Sequence, residues 1–153
     1  MRTRHAFWIG LLLLAPSLRA EPLLTIEAGT GGVVSLTREQ FTALPQHRLT
    51  TKTPWTEGMH SYQGVLLRDL LNQAGLKTPE VWAVALNDYA ASIPREDADR
   101  YPVLVAAEQD GAVLTVRNKG PLWIIYPLSD FPELDKERYH SRMVWQVKRL
   151  EAR

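Results

Sequence analysis

The sequence predicts an α+β fold: a mixed, partly barrel-like β-sheet carrying two or three short helices. Three observations predict it. A chain of 153 residues with 45% hydrophobic and 23% charged residues, 9 Gly and 10 Pro has the make-up of one globular domain around one core. β-prone runs outnumber helical patterns, about eight to two, and interleave with them irregularly, whereas a doubly wound parallel sheet would alternate them. There is no internal repeat and no low-complexity linker.

The elements follow in chain order. MRTRHAFWIGLLLLAPSLRA has a basic start, an apolar stretch from Ala6 to Ala15 and a polar end closing on Ala20, which reads as a secretory signal peptide over residues 1–20. Its apolar stretch is shorter than the roughly 20 residues a spanning helix needs, and an uncleaved anchor is the alternative. It lacks the twin-arginine start of proteins exported folded around a cofactor. The domain is then residues 21–153, with a periplasmic location expected. Leu23–Ile26 and Val33–Leu36 flank Gly-Thr-Gly-Gly and predict a hairpin. Thr37 and Gln40 match a capping box for a short helix that Pro45 stops.

Arg48–Thr53 is β-prone, and Tyr62–Val65 leads into a helix whose Leu67, Leu70, Leu71 and Ala74 fall at helical spacing, with Gly75 at its C′ position. Strand signals then dominate: Val81–Leu86, Ala90–Ile93, Val103–Ala107, Ala112–Val116, Leu122–Tyr126 and Met143–Val147. Asp110-Gly111 is a hairpin turn signal. Pro94–Asp99 is a charged connector with room for one helical turn.

Composition excludes several functions. The net charge is +1, and without Arg2, Arg4 and Arg19 of the leader it becomes 15 basic against 17 acidic residues, or −2, so a nucleic-acid grip is not expected. The chain has no cysteine, which removes disulfides, thiolate nucleophiles, iron–sulfur ligation and any metal held by a protein thiolate. His47, His60 and His140 have no partner histidine at i+3 or i+4, and neither a Gly-x-Ser-x-Gly elbow nor a Gly-rich phosphate cradle is present.

Four places remain as candidates, each with an ordinary reading beside the functional one. Trp55, in Thr53-Pro54-Trp55-Thr56-Glu57-Gly58, can plug the edge of the core. Asp88 and Tyr89 follow a strand, where Asn87-Asp88 is also turn chemistry. Arg117 lies in a polar break that reads equally as a solvated loop. Trp123 and Tyr126 alternate along one strand and therefore face opposite ways.

The order of these segments resembles the sulfite-oxidase-type molybdopterin-binding domain family. Tyr62-Gln63-Gly64-Val65-Leu66-Leu67-Arg68-Asp69-Leu70-Leu71 is similar to its W-x-G-V-P-L-R-D-L-L element and Ala85–Pro94 to its next strand pair. Lys119–Pro127 is similar to its G-x-P-x-R-x-x-x-P element, and Met143–Val147 to its closing strand. The resemblance runs from about Leu36 to Leu150, most of the mature chain, and implies that fold.

The departures shape the expected function. In the family's enzymes a cysteine shortly before the Gly-Val-Pro-Leu-Arg element ligates molybdenum, whereas Thr50–Trp55 here holds none. Trp123 stands where the family has an arginine. The resemblance therefore narrows to small secreted proteins of this fold that bind a metal-free pterin and regulate a membrane-bound cyclic-di-GMP enzyme. That implies a metal-free pterin as ligand, molybdopterin not being expected, and as partner a membrane sensor with a periplasmic domain, a diguanylate cyclase or phosphodiesterase. A pterin's 2-amino-4-oxo edge offers adjacent N–H donors to a carboxylate, which makes Asp88 the expected reader. Trp123 and Trp55 would wall its ring, with Tyr89 and Arg117 meeting its carbonyl and hydroxyls. The alternative is a molybdopterin-dependent oxidoreductase lacking the usual cysteine.

Overall fold

The protein is described by a computed structural model covering residues 19–153; Met1–Leu18, which carry all but the end of the expected signal peptide, lie outside the described residues. Among the described residues ten strands form two sheets. The first has the order β2 (Val33–Leu36), β1 (Leu24–Glu27), β10 (Val147–Glu151), β5 (Glu80–Ala85), β6 (Ala90–Pro94). The second has the order β3 (His47–Thr51), β4 (His60–Leu66), β7 (Leu104–Gln109), β8 (Ala112–Val113), and β9 (Trp123–Ile125) pairs with β7 as well. Only β1 with β10 is parallel. The sheets stay open rather than closing into a barrel. Four short α-helices join them: α1 (Arg38–Ala43), α2 (Leu67–Gln73), α3 (Arg95–Arg100) and α4 (Glu137–His140). Among the described residues no helix is long and apolar enough to cross a membrane.

Local chemistry places the helices. Gln40 N donates to Thr37 Oγ1 at 3.2 Å and Thr37 N to Gln40 Oε1 at 2.9 Å, the reciprocal capping box that starts α1. Leu67, Leu70 and Leu71 of α2 are buried, and Gly75 ends it at φ 68 while Leu76 N reaches back to Leu71 O. In β4, Gly64 sits against β7 so closely that an added Cβ would lie 1.9 Å from Val105 O. Only glycine fits there.

Three expectations change. The closing strand is Val147–Glu151, not Met143–Val147. Residues 143–146 cannot ladder because their backbone bonds are divided: Val144 O accepts from Ile124, Gln146 N donates to Lys119 O, and Gln146 O accepts from Leu86, with Gln146 at φ 53. The run Ala112–Val116 keeps only two strand residues, since Thr115 and Asn118 form a capping box that turns Val116–Asn118 into a 3-10 helix. The helical turn allowed for within Pro94–Asp99 forms as α3, but the α-helices number four among the described residues rather than two or three, because α4 forms where a charged stretch without apolar periodicity gave no helix signal.

The core lies between the sheets, with Trp123, Tyr62, Tyr126 and Phe41 its largest fully buried side chains. Each contributes roughly 1.5–3 kcal/mol or more of burial. The alternation read along β9 holds: Trp123 packs edge-on against Tyr62 at 5.6 Å. Tyr126 faces α3, donating to Asp97 Oδ2 at 2.8 Å. Arg142 donates to the same oxygen at 2.6 Å, so Asp97 fixes α3 to the segment after α4.

Candidate ligand-binding cleft

A cleft of about 310 Å³ opens where the two sheets meet, lined by Trp55, Ala85, Asn87, Tyr89, His140, Ser141, Met143, Val144, Trp145 and Gln146. Three pieces of chain build it. The β3–β4 loop brings Trp55, with Thr53 Oγ1 accepting from Trp55 N at 3.3 Å and sharing a 2.7 Å bond with Thr56 Oγ1. The β5–β6 turn brings Asn87 and Tyr89; Asn87 Oδ1 accepts from Tyr89 N at 3.1 Å, an Asx turn that orients the phenol. The end of α4 and the irregular bridge at 143–146 close the third side, the bridge hydrogen-bonded to β9 of one sheet and to the end of β5 of the other. Both sheets are thus tied at the cleft.

The walls are aromatic and the edges polar. Trp55 and Trp145 meet edge-to-face at 5.2 Å, and Trp55 meets His140 at 6.4 Å. Lys119 Nζ lies 4.4 Å from the Trp145 ring centroid and 5.7 Å from that of Trp123, a cation–π brace on the outer wall. Trp55, Tyr89 and Trp145 remain open to solvent. Polar groups around this apolar lining are few: Asn87, His140, Ser141 and Gln146, whose Nε2 is occupied by Val116 O at 2.8 Å. An apolar pocket with a few convergent polar groups is the usual form of a small-molecule site.

His140 is coupled to a charged pair. Its Nε2 lies 2.9 Å from Asp135 Oδ1, and Lys52 Nζ lies 2.9 Å from Asp135 Oδ2. Hydrogen bonds from Lys52 and then His140 hold the Asp135 carboxyl below the ordinary carboxylate range.

The five residues expected to bind ligand separate. Trp55 and Tyr89 line the cleft. Trp123 does not: it is wholly buried, its Nε1 donates to Met143 O at 3.2 Å, and it supports Trp55 from below at 6.2 Å. Asp88 points away at the turn, at φ 66, where Lys148 Nζ binds its Oδ1 at 2.7 Å and holds its carboxyl below the usual range. Arg117 is exposed on a 3-10 helix outside the lining. Sequence reading missed His140, Trp145 and Gln146: the bridge's long-range backbone bonding places the last two, and His140 ends a short helix that has no apolar periodicity.

Molybdopterin brings three demands, and the cleft meets one. There is no thiolate in the whole chain, and among the described residues no group of three or more His, Cys, Asp or Glu is placed to hold a metal ion. The lining carries neither lysine nor arginine for a phosphate. A flat heteroaromatic ring fits, since the volume is at the lower end of the roughly 300–1,000 Å³ of ligand pockets.

Residues 24–129 match the model of the family described as oxidoreductase molybdopterin binding domain. The crystal structure of the sulfane dehydrogenase SoxCD from Paracoccus pantotrophus is similar with a TM-score of 0.64, at 21% identity over 84% of this chain. This likeness is one of fold, and the match spans 37% of the SoxCD chain. A search of curated proteins finds no match.

Proposed function

We propose, for a chain that belongs to the oxidoreductase molybdopterin-binding domain family, that it binds a pterin without molybdenum and works as a regulator rather than as a redox enzyme. The observation that carries this reading is a cleft walled by Trp55, Tyr89 and Trp145 in a protein with no cysteine. A flat ring suits that aromatic wall, and a chain without cysteine offers a metal no thiolate. Stacking on an aromatic wall supplies ~1–3 kcal/mol per ring of nucleobase size, enough for reversible binding once polar edges add to it. The resemblance to small secreted pterin-binding proteins supports a periplasmic role, signalling ligand state to a membrane-bound diguanylate cyclase or phosphodiesterase with a periplasmic sensor domain.

Two experiments test the reading. Titration with neopterin, followed by quenching of tryptophan fluorescence, should saturate at one ring per chain, and absence of saturation at millimolar concentration would overturn the ligand assignment. Pull-down from detergent-solubilised membranes should recover a sensor protein with a periplasmic domain, and recovery of soluble enzymes alone would refute the partner assignment. Family membership favours a second reading, a molybdopterin oxidoreductase centre without a protein thiolate, and metal content separates the two.

A further inference from the structure

We infer that His140, oriented by Asp135, is the residue that reads the ligand's edge, and that it selects a ring presenting an N–H donor. This rests on the reading of the cleft as a heteroaromatic-ring site and deepens it. An ionised carboxylate can only accept hydrogen bonds. Asp135 is kept ionised by Lys52 at 2.9 Å, so the atom of His140 that faces it at 2.9 Å, Nε2, must carry the proton. In the neutral ring Nδ1 is then an acceptor. Among the described residues Nδ1 has no hydrogen-bond partner, while the ring lines the cleft. The imidazole packs edge-on against Trp55, so its free nitrogen and the aromatic wall serve one site.

Among the polar groups of the lining, His140 is the one whose ring is oriented by an ion pair, Asp135 with Lys52. Asn87 Oδ1 already takes Tyr89 N, while Ser141 Oγ and Gln146 Oε1, which can also accept, belong to groups anchored through their donors on Arg138 O and Val116 O. The charged groups around the histidine are Asp135, Lys52 across from it through Asp135, and Lys136, Glu137, Arg138 and Arg142 on its own segment. None of these lines the cleft. A pterin matches through its lactam N3–H, which an apolar cleft makes costly to leave unpaired. A ring lacking a donor there would be rejected even though it stacks equally well. Asp135 is accordingly a positioning residue: it sets the tautomer and does not touch the ligand.

The test compares pterin with 3-methylpterin, which has the same ring and no donor at N3, by fluorescence titration at pH 7, where pterin keeps its N3 proton. Wild type should prefer pterin by roughly ten- to a hundredfold, the factor that a buried unmade hydrogen bond implies. His140→Leu should reduce pterin affinity by a similar factor and leave 3-methylpterin binding nearly unchanged. Asp135→Asn should shrink the preference several-fold, because an amide no longer dictates which nitrogen is protonated, and ¹⁵N shifts of His140 should change from a single Nε2–H tautomer to a mixture. Thermal melting confirms that both variants fold. If wild type binds pterin but the variants keep its preference, the inference about His140 falls while the cleft assignment stands; if wild type binds neither ring, the cleft assignment itself falls.

Discussion

At Trp55, ligand contact and core packing can be separated. The ring is 39% exposed on a loop, so Trp55→Ala removes a wall without opening a core cavity. Pterin affinity should drop by the stacking contribution, ~1–3 kcal/mol or roughly five- to 150-fold, with the melting temperature nearly constant. Trp123→Ala is the opposite case: the side chain is fully buried, and its removal should cost about 3–5 kcal/mol of stability, read as a lowered denaturation midpoint. Asp88→Asn should leave pterin binding unchanged, since its carboxylate is held by Lys148 outside the cleft. A strand-end carboxylate looks like a ligand reader in the sequence; the lysine that engages it lies 60 residues further on, where spacing gives no signal.

His60 offers a pH test at the same scale. Its Nδ1 lies 2.6 Å from Asp110 Oδ2 and its Nε2 2.8 Å from Glu57 O. The Asp110 hydrogen bond first, and the Glu57 carbonyl second, raise its pKa above the ordinary value of 6.5. A raised histidine stabilises the folded protein fully below that ordinary value and loses the effect as pH rises through the folded one. The stability difference between wild type and His60→Gln should therefore be largest in mildly acidic solution and shrink toward alkaline pH, as read by urea denaturation across that range. A difference that grows with pH would contradict the assignment.

The elements divide into those that local chemistry places and those that long-range bonding places. The α1 capping box, the apolar face of α2 and its glycine stop, and the alternation along β9 were legible because each is decided within a few residues. The bridge at 143–146 was not. Its apolar Met-Val-Trp reads as strand, but its hydrogen bonds go to Ile124, Lys119 and Leu86, which no local pattern encodes. The cleft was legible only through Trp55 and Tyr89 for the same reason. Asp97 couples the elements: it accepts from Tyr126 and Arg142, joining α3 to the chain that leads into the bridge. Asp97→Ala leaves a cation and a buried phenol without their acceptor and should destabilise by about 3 kcal/mol or more, with loosening of the cleft wall visible as faster amide exchange at 143–146. Gly64→Ala should be as damaging, since its Cβ would collide with β7 backbone.

On the scale of the whole molecule, two open sheets joined at an aromatic cleft give the family fold in a chain that has no cysteine. The lack of cysteine is read directly from the sequence, and the fold was legible there through the order of four short motifs. What it could not show was which aromatic side chains face solvent, because Trp55 and Trp123 differ only in how the sheets pack around them. The measurement that tests the central claim most directly is the joint quantification of pterin and molybdenum in the protein purified from its native source without added ligand. Pterin approaching one per chain with molybdenum far below one per chain is the predicted result; molybdenum at one per chain, released together with a phosphorylated pyranopterin, would contradict it.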